Sequence, residues 1–187
     1  DPPPPPVLYL APLRGITDAV FRTVFARHFA GIDRAVAPFV TTHGGARILP
    51  RHVRGLHPAE NPAMPVIPQI LGKSAPQFAA FARHLFEELG HPEVNWNLGC
   101  PFPQVANKGR GSGLLPYPDR IDAFLEEALG AIPGRLSIKT RLGRRHPDEM
   151  EAVAQVFNRY PLSAVIVHPR TGIQMYAGPP DLEAFGA

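Results

Sequence analysis

Short apolar runs alternate along this chain with longer segments whose apolar residues recur at three- and four-residue spacing. Elements patterned in that order can bury themselves together as a parallel sheet with helices on its faces. Six runs read as strands: Val7–Ala11, Ala35–Val40, Pro65–Leu71, Val94–Asn97, Leu136–Thr140 and Ala164–His168. Pro38 is expected at the end of the second. Between the runs lie helical patterns. The first is capped by Thr17 or Asp18 and runs to about Ala30, with Val20, Phe21, Val24, Phe25 and Phe29 on its core face. Ser74 caps a second, with Phe78, Phe81, Ala82, Leu85 and Leu89 inward and Gly90 as its stop. Asp119 caps a third, carrying Ile121, Phe124, Leu125, Ala128 and Leu129. A fourth spans Pro147–Tyr160, with Asp148 and Glu149 in its first turn, where the helix dipole favours acids. The irregular stretch Thr41–Met64 holds a short helix near Ala46–Val53.

Such alternation suits either an open doubly wound sheet or a TIM (β/α)8 barrel. Polar and reactive residues sit just beyond many strand ends: Arg14, Gln69, Asn97, Cys100, Lys139, Arg141, His168 and Arg170. Contributions from many strands are the habit of a barrel mouth. An open sheet gathers its ligand at one switch point. The barrel is therefore favoured, as an incomplete one: a full barrel takes eight strands and about 250 residues.

Composition narrows the class. Hydrophobic residues make up 44% of the 187, enough for a packed core. No apolar run is long enough for a membrane helix. Pro2–Pro6 reads as an extended or disordered lead-in. The single cysteine, Cys100, excludes an internal disulfide and a multi-cysteine metal site, and it fits a reducing compartment such as the cytoplasm. A net charge of +3 permits a nucleic-acid partner without requiring one.

The segment Asn97-Leu98-Gly99-Cys100-Pro101 opens a loop, spaced by Gly109, Gly111 and Gly113, that is longer than the usual strand-to-helix connection. Gly99 would let backbone approach a ligand closely. Cys100 would stand at the mouth of the sheet. A thiol of ordinary pKa, about 8.5, is mostly protonated at neutral pH and can donate a proton. A buried structural cysteine is the alternative. Period-two alternation puts Lys139 and Arg141 on one side of their strand end. A lysine there is costly to bury unless it faces an anionic or electron-rich partner. His168 and Arg170, with Gln174 and Tyr176, repeat the theme after the sixth strand.

Together these segments resemble the tRNA-dihydrouridine synthase family over Leu8–Leu182. The resemblance rests on five segments in order: Ala11 to Asp18 with Phe21-Arg22, Pro68 to Gly72, Asn97 to Pro101 with its glycine-spaced tail, Lys139 to Gly143, and His168 to Thr171. It implies a TIM-barrel flavoprotein in which NADPH reduces FMN and the flavin reduces a uridine in tRNA. Pro12, Leu13 and Arg14 would line the FMN, Gln69 would hydrogen-bond its ring, Lys139 would sit by its N1–O2 edge, and His168 would contact the ring or phosphate. Asn97, Arg141 and Arg170 would meet the uridine or neighbouring RNA, and Cys100 would be the general acid. No metal and no membrane enter this chemistry; a monomer is the expectation for the intact enzyme.

Two positions depart from the family pattern: Arg14 stands where many relatives carry a small or acidic residue, and Pro169 replaces a frequent glycine. The resemblance also implies two further βα units and a C-terminal helical domain that are not found in these 187 residues. The isolated chain is accordingly expected to expose sheet edges, hold FMN weakly and dissolve poorly. Two other readings compete. One is another FMN barrel, such as a dihydroorotate or dihydropyrimidine dehydrogenase or an old-yellow-enzyme relative. The other is a non-catalytic RNA-binding fragment.

Overall fold

The computed structural model of the protein describes residues 5–42 and 48–186. The elements are β1 (Tyr9–Leu10), α1 (Ala19–His28), β2 (Arg34–Val36), β3 (Val40–Thr41), α2 (Pro50–Val53), β4 (Val66–Ile67), β5 (Gln69–Leu71), α3 (Ala75–Glu87), β6 (Glu93–Asn97), α4 (Pro103–Ala106), α5 (Pro118–Ala131), β7 (Arg135–Arg141), α6 (Glu149–Phe157), β8 (Val165–His168) and α7 (Leu182–Gly186). Pro2–Pro4 of the expected lead-in, and Ala46–Arg47 of the expected short helix, lie outside the described residues. Of the rest, Pro50–Val53 form α2, with Pro50 in its first turn, while Ile48 and Leu49 precede it.

Every strand pairing is parallel, in two ladders ordered β1-β2-β4 and β3-β5-β6-β7-β8. The expected second and third strands are each divided. Pro38 separates β2 from β3, and Pro68 separates β4 from β5. Proline has no N–H to donate, so the ladder breaks there and resumes beyond. Pro38 thus sits within its strand position and does not end it. Counting each divided pair as one, the described residues supply six strand positions in sequential spatial order. A doubly wound sheet reverses its order at a switch point; this sheet does not. The fold is an α/β TIM barrel, present here as an incomplete arc. Among the described residues β1 and β8 each pair on one side.

The helices clothe the outer face. Val94 and Trp96 point outward from β6; the Trp96 ring stacks on Phe124 of α5 at 3.9 Å, and Phe78 of α3 meets the same Phe124 edge-on. The Trp96 indole N–H also donates to Gly72 O at 3.0 Å. With Leu85, Ile121, Leu125, Leu136 and Ile138 these residues form the core between sheet and helices. The facing side of β6 is polar. Glu93, Asn95 and Asn97 are buried on the concave side, where barrels of this kind usually pack Val, Ile and Leu.

Helix ends differ in places from expectation. The Asp18 carboxylate caps α1 by accepting the Phe21 N–H at 2.9 Å, while the Thr17 hydroxyl accepts the Leu13 N–H at 2.8 Å. Only part of the expected core face of α1 is covered: Phe25 packs against the core and Phe21 is half-buried, but Val20 is 70% exposed and Phe29 63%. The buried residue is Arg22, which donates to Thr17 O, Asn61 Oδ1 and Gly55 O. Distant carbonyls satisfy that guanidinium, and so the arginine side of the helix faces in. α5 begins one residue before Asp119, with Tyr117 at the cap position and Pro118 in the first turn. The fourth helix is shorter than expected, Glu149–Phe157; the Glu149 carboxylate accepts the N–H groups of Arg144, Arg145 and His146. No helix among the described residues is long and apolar enough to cross a membrane.

Candidate active site

The C-terminal ends of the strands open onto a cavity of about 850 Å³, well within the size range of small-molecule and cofactor sites. Pro12, Leu13 and Arg14, from the loop after β1, line one wall. Gln69, Asn97 and Cys100 line the floor, with Lys139, Arg141 and His168 beside them. Nine of the ten residues singled out from the sequence thus share one cavity. Arg170 is the exception: it is not on the wall, and its guanidinium donates twice to Gly178 O, at 3.0 and 2.8 Å.

Beneath the cavity runs a chain of buried polar side chains. Asn97 Nδ2 donates to Gln69 Oε1 at 2.8 Å. Gln69 Nε2 donates to Asn95 Oδ1 at 2.7 Å, and Asn95 Nδ2 to Ser137 Oγ at 2.9 Å. Period-two alternation produces this ladder: Asn95 and Asn97 share a face of β6, as Ser137 and Lys139 share a face of β7. Both uncharged partners, Asn95 and Ser137, went unmarked in the sequence, although each lies two residues before a marked one. Phe39 and Phe102, which also line the cavity, carried no signal beyond being aromatic in a loop.

The Cys100 turn is held from several sides. Asn97 Oδ1 accepts the Cys100 N–H at 2.9 Å and the Gly99 N–H at 3.3 Å. Arg141 is buried and ties two loops to the end of β7: its Nε donates to Gly99 O at 3.0 Å, and its Nη1 to Thr171 O and Met175 O at 2.9 and 2.7 Å. Its guanidinium also lies over the Tyr176 ring, 5.4 Å from the centroid. Gly99 serves a different approach from the expected one. A Cβ there would stand 3.0 Å from the Thr140 carbonyl carbon, so the glycine admits β7. Gly111 has φ +54°, and a Cβ on it would stand 2.8 Å from Cys100 O. The glycine-spaced tail is therefore packed directly beneath the cysteine.

The electrostatics are one-sided. Arg14, Lys139 and Arg141 line the cavity, and no Asp or Glu does among the described residues. Burial, and then the nearby Arg141 charge, pushes the Lys139 ammonium below its ordinary pKa; no hydrogen-bond acceptor meets it among the described residues. Burial first, then Arg141, Lys139 and Arg170, pushes His168 down to about 4, so its imidazole is neutral at pH 7. Its Nδ1 is buried without a partner among the described residues. Burial pushes the Cys100 thiol up, against smaller opposing pulls from the Phe102 backbone, Arg141 and Arg14. The thiol therefore keeps its proton at neutral pH. A wall of donors with a protonated thiol suits a flat, electron-rich, anionic occupant and a proton delivered beside it.

A sequence model of the family described as dihydrouridine synthase (Dus) matches residues 9–185. The chain belongs to the dihydrouridine synthase family. Its curated relatives include a probable tRNA-dihydrouridine synthase of Rhodobacter capsulatus, 32% identical over 186 residues that cover 98% of this chain and 56% of the relative. Another is tRNA-dihydrouridine synthase B of Vibrio cholerae, 31% identical over 182 residues, 96% of this chain and 55% of the relative. A probable tRNA-dihydrouridine synthase of Staphylococcus aureus is 31% identical over 174 residues, 92% of this chain and 52% of the relative. The chain spans about half the length of the curated relatives it matches. The matched residues contain every residue that lines the cavity.

Proposed function

We propose that this chain carries the catalytic cavity of a tRNA-dihydrouridine synthase, reducing the C5=C6 bond of a uridine in tRNA, with FMN bound in the cavity and NADPH as reductant. The observation that carries the reading is the buried Cys100 thiol on a cavity lined by Arg14, Lys139 and Arg141 and, among the described residues, by no carboxylate. The residues present fit FMN on the same ground. The Lys139 ammonium and His168 Nδ1, both without a hydrogen-bond partner among the described residues, suit an electron-rich group, and the volume admits a flavin ring.

When bound, FMN would supply the hydride that reaches C6 of the uracil. Pro12, Leu13 and Arg14 would form the wall against the ring. Gln69 spends one N–H on Asn95 and accepts from Asn97, which leaves one N–H to orient the ring. Lys139 and His168 would hold its electron-rich atoms. A base in folded RNA must be extruded to enter the cavity. Asn97 and Arg141, each fixed by the Cys100 turn, would bound the uracil and steady the negative charge that develops as C6 receives the hydride. Arg170, at the rim, would meet neighbouring RNA. Cys100 Sγ then gives its proton to C5, and the thiolate regains a proton from solvent. Such a reaction takes place where tRNA is, in the cytoplasm.

The experiment compares half-reactions in the protein that carries this chain. Cys100→Ala should slow uridine reduction at least about a hundredfold, a usual span for a lost general acid, while flavin reduction by NADPH is nearly unchanged. Equal loss of both would sink the assignment. Turnover of free pyrimidines in place of undermodified tRNA would favour a dihydroorotate or dihydropyrimidine dehydrogenase. Absence of flavin absorbance in the purified protein would favour a non-catalytic RNA-binding piece.

A further inference from the structure

The carbonyls of the Cys100 turn are each gripped by a residue from elsewhere in the barrel mouth. Gly99 O accepts from Arg141. Cys100 O accepts twice from one residue: the Ser112 N–H at 3.1 Å and the Ser112 hydroxyl at 3.0 Å. Pro101 O accepts from Arg144 Nη1 at 3.5 Å. Ser112 is completely buried and does not line the cavity. Its hydroxyl uses both of its roles, because Arg144 Nη1 also donates to Ser112 Oγ at 3.4 Å. Arg144 is anchored in turn by its own N–H on Glu149 Oε2 at 2.7 Å. From the other side comes Gly172, whose N–H is bonded to Gly143 O at 2.8 Å; a Cβ on Gly172 would stand 2.6 Å from Ser112 Oγ. The loops that follow β6, β7 and β8 therefore converge on one hydroxyl.

We infer that Ser112 is a positioning residue for the proton donor. It touches neither substrate nor cofactor space and acts through the main chain of Cys100. By clamping the Cys100 carbonyl with two donors, it sets where Sγ stands and keeps the turn closed to water. The role as positioner of a proton donor rests on the proposed function; the clamp itself does not.

Cys100 is the only cysteine in the sequence, so thiol modification reports on it alone, with no cofactor or RNA. The rate of modification by a disulfide reagent and by iodoacetamide is followed against pH in the parent, Ser112→Ala, Gly172→Ala and Leu125→Ala. Losing the hydroxyl removes one of the two hydrogen bonds that Cys100 O accepts, along with the long contact from Arg144, which should speed modification about five- to tenfold. The pH midpoint should move down toward that of an ordinary thiol as the turn admits water. Gly172→Ala presses a methyl group onto the hydroxyl and should act in the same direction. Leu125→Ala opens the core between sheet and helices far from the turn; matched for thermal stability, it should leave rate and midpoint alone. In turnover with tRNA, Ser112→Ala should lower kcat with KM unchanged. An unchanged rate and midpoint in Ser112→Ala would overturn the inference, as would an equal change in Leu125→Ala. Should Ser112→Ala fail to fold, Gly172→Ala decides. Uridine reduction that survives Cys100→Ala would remove the proposed function while leaving the thiol result standing.

Discussion

Replacing Asn95 with leucine would keep nearly the same volume and strand two buried groups. Asn95 is fully buried, accepts from Gln69 Nε2 at 2.7 Å and donates to Ser137 Oγ at 2.9 Å. No cavity term arises, because the side chains are similar in size. The Ser137 hydroxyl only accepts from Asn95 and keeps its own donation to Val94 O at 3.4 Å, so its loss is small. The Gln69 N–H has no such substitute among the described residues, and an unsatisfied buried donor costs about 1–3 kcal/mol. Losing the bond to Ser137 as well, the variant should be less stable by about 2–4 kcal/mol, a large share of the ordinary stability of a domain. Trp96, the one tryptophan, neighbours Asn95 on β6 and stacks on Phe124, so its fluorescence in a urea titration reads the loss directly. Combining Asn95→Leu with Gln69→Leu should cost less than the sum of the two by about 1 kcal/mol, since the stranded donor goes with its partner. A loss below about 0.5 kcal/mol for Asn95→Leu, the range of an ordinary surface change, would refute the reasoning.

Three further outcomes are expected. His168 titrates at about 4 in the folded protein against an ordinary 6.5, so the unfolded chain binds the proton first. Its share of stability is present above 6.5 and is lost as pH falls toward 4; His168→Gln should flatten the urea midpoint across that window, and an unaltered slope would contradict the assignment. Lys139→Met removes a half-buried cation that meets no acceptor among the described residues, so the cofactor-free chain should melt about 2–4 °C higher while flavin binding weakens, and a lower melting point would show that the ammonium is satisfied after all. Gly111→Ala forces a side chain into a left-handed backbone against Cys100 O, with an expected cost of about 1–3 kcal/mol by urea titration; no loss would mean that the tail can shift away.

Much of the fold follows from local rules. Asp18 caps its helix, and Gly90 ends one with φ +72°, as their positions suggest. Strand-end periodicity brings Lys139 and Arg141 to one wall. What stayed hidden depends on partners far along the chain. Arg22 is buried because Gly55 and Asn61, 33 and 39 residues away, supply its acceptors, and no helical pattern can report that. The apolar stripe of α1 misled in part, for the same reason. The resemblance puts Arg141 by the uridine; that three carbonyls from two loops also take most of its donors depends on partners 30 or more residues away, which no local pattern reports. Pro38 and Pro68 were visible, but only the pairing partners decide whether a proline ends a strand or interrupts it.

The polar interior and the cationic wall have one physical explanation. A barrel filled with Val and Leu would be easier to stabilise, and it could not fix the orientation of an amide. Gln69 can point its remaining N–H into the cavity only if its other groups are spoken for, and that requires Asn95 and Asn97 on the neighbouring strand. Asn97 can spare Nδ2 for Gln69 because its oxygen already holds the Cys100 turn. The side chain that orients the floor is thus the same one that seats the proton donor. Any substitution that rotates Asn97 must disturb both, whereas Ser112 reaches the cysteine alone. The two variants therefore separate cofactor placement from proton delivery: Asn97→Ala should alter both flavin binding and thiol reactivity, and Ser112→Ala only the second.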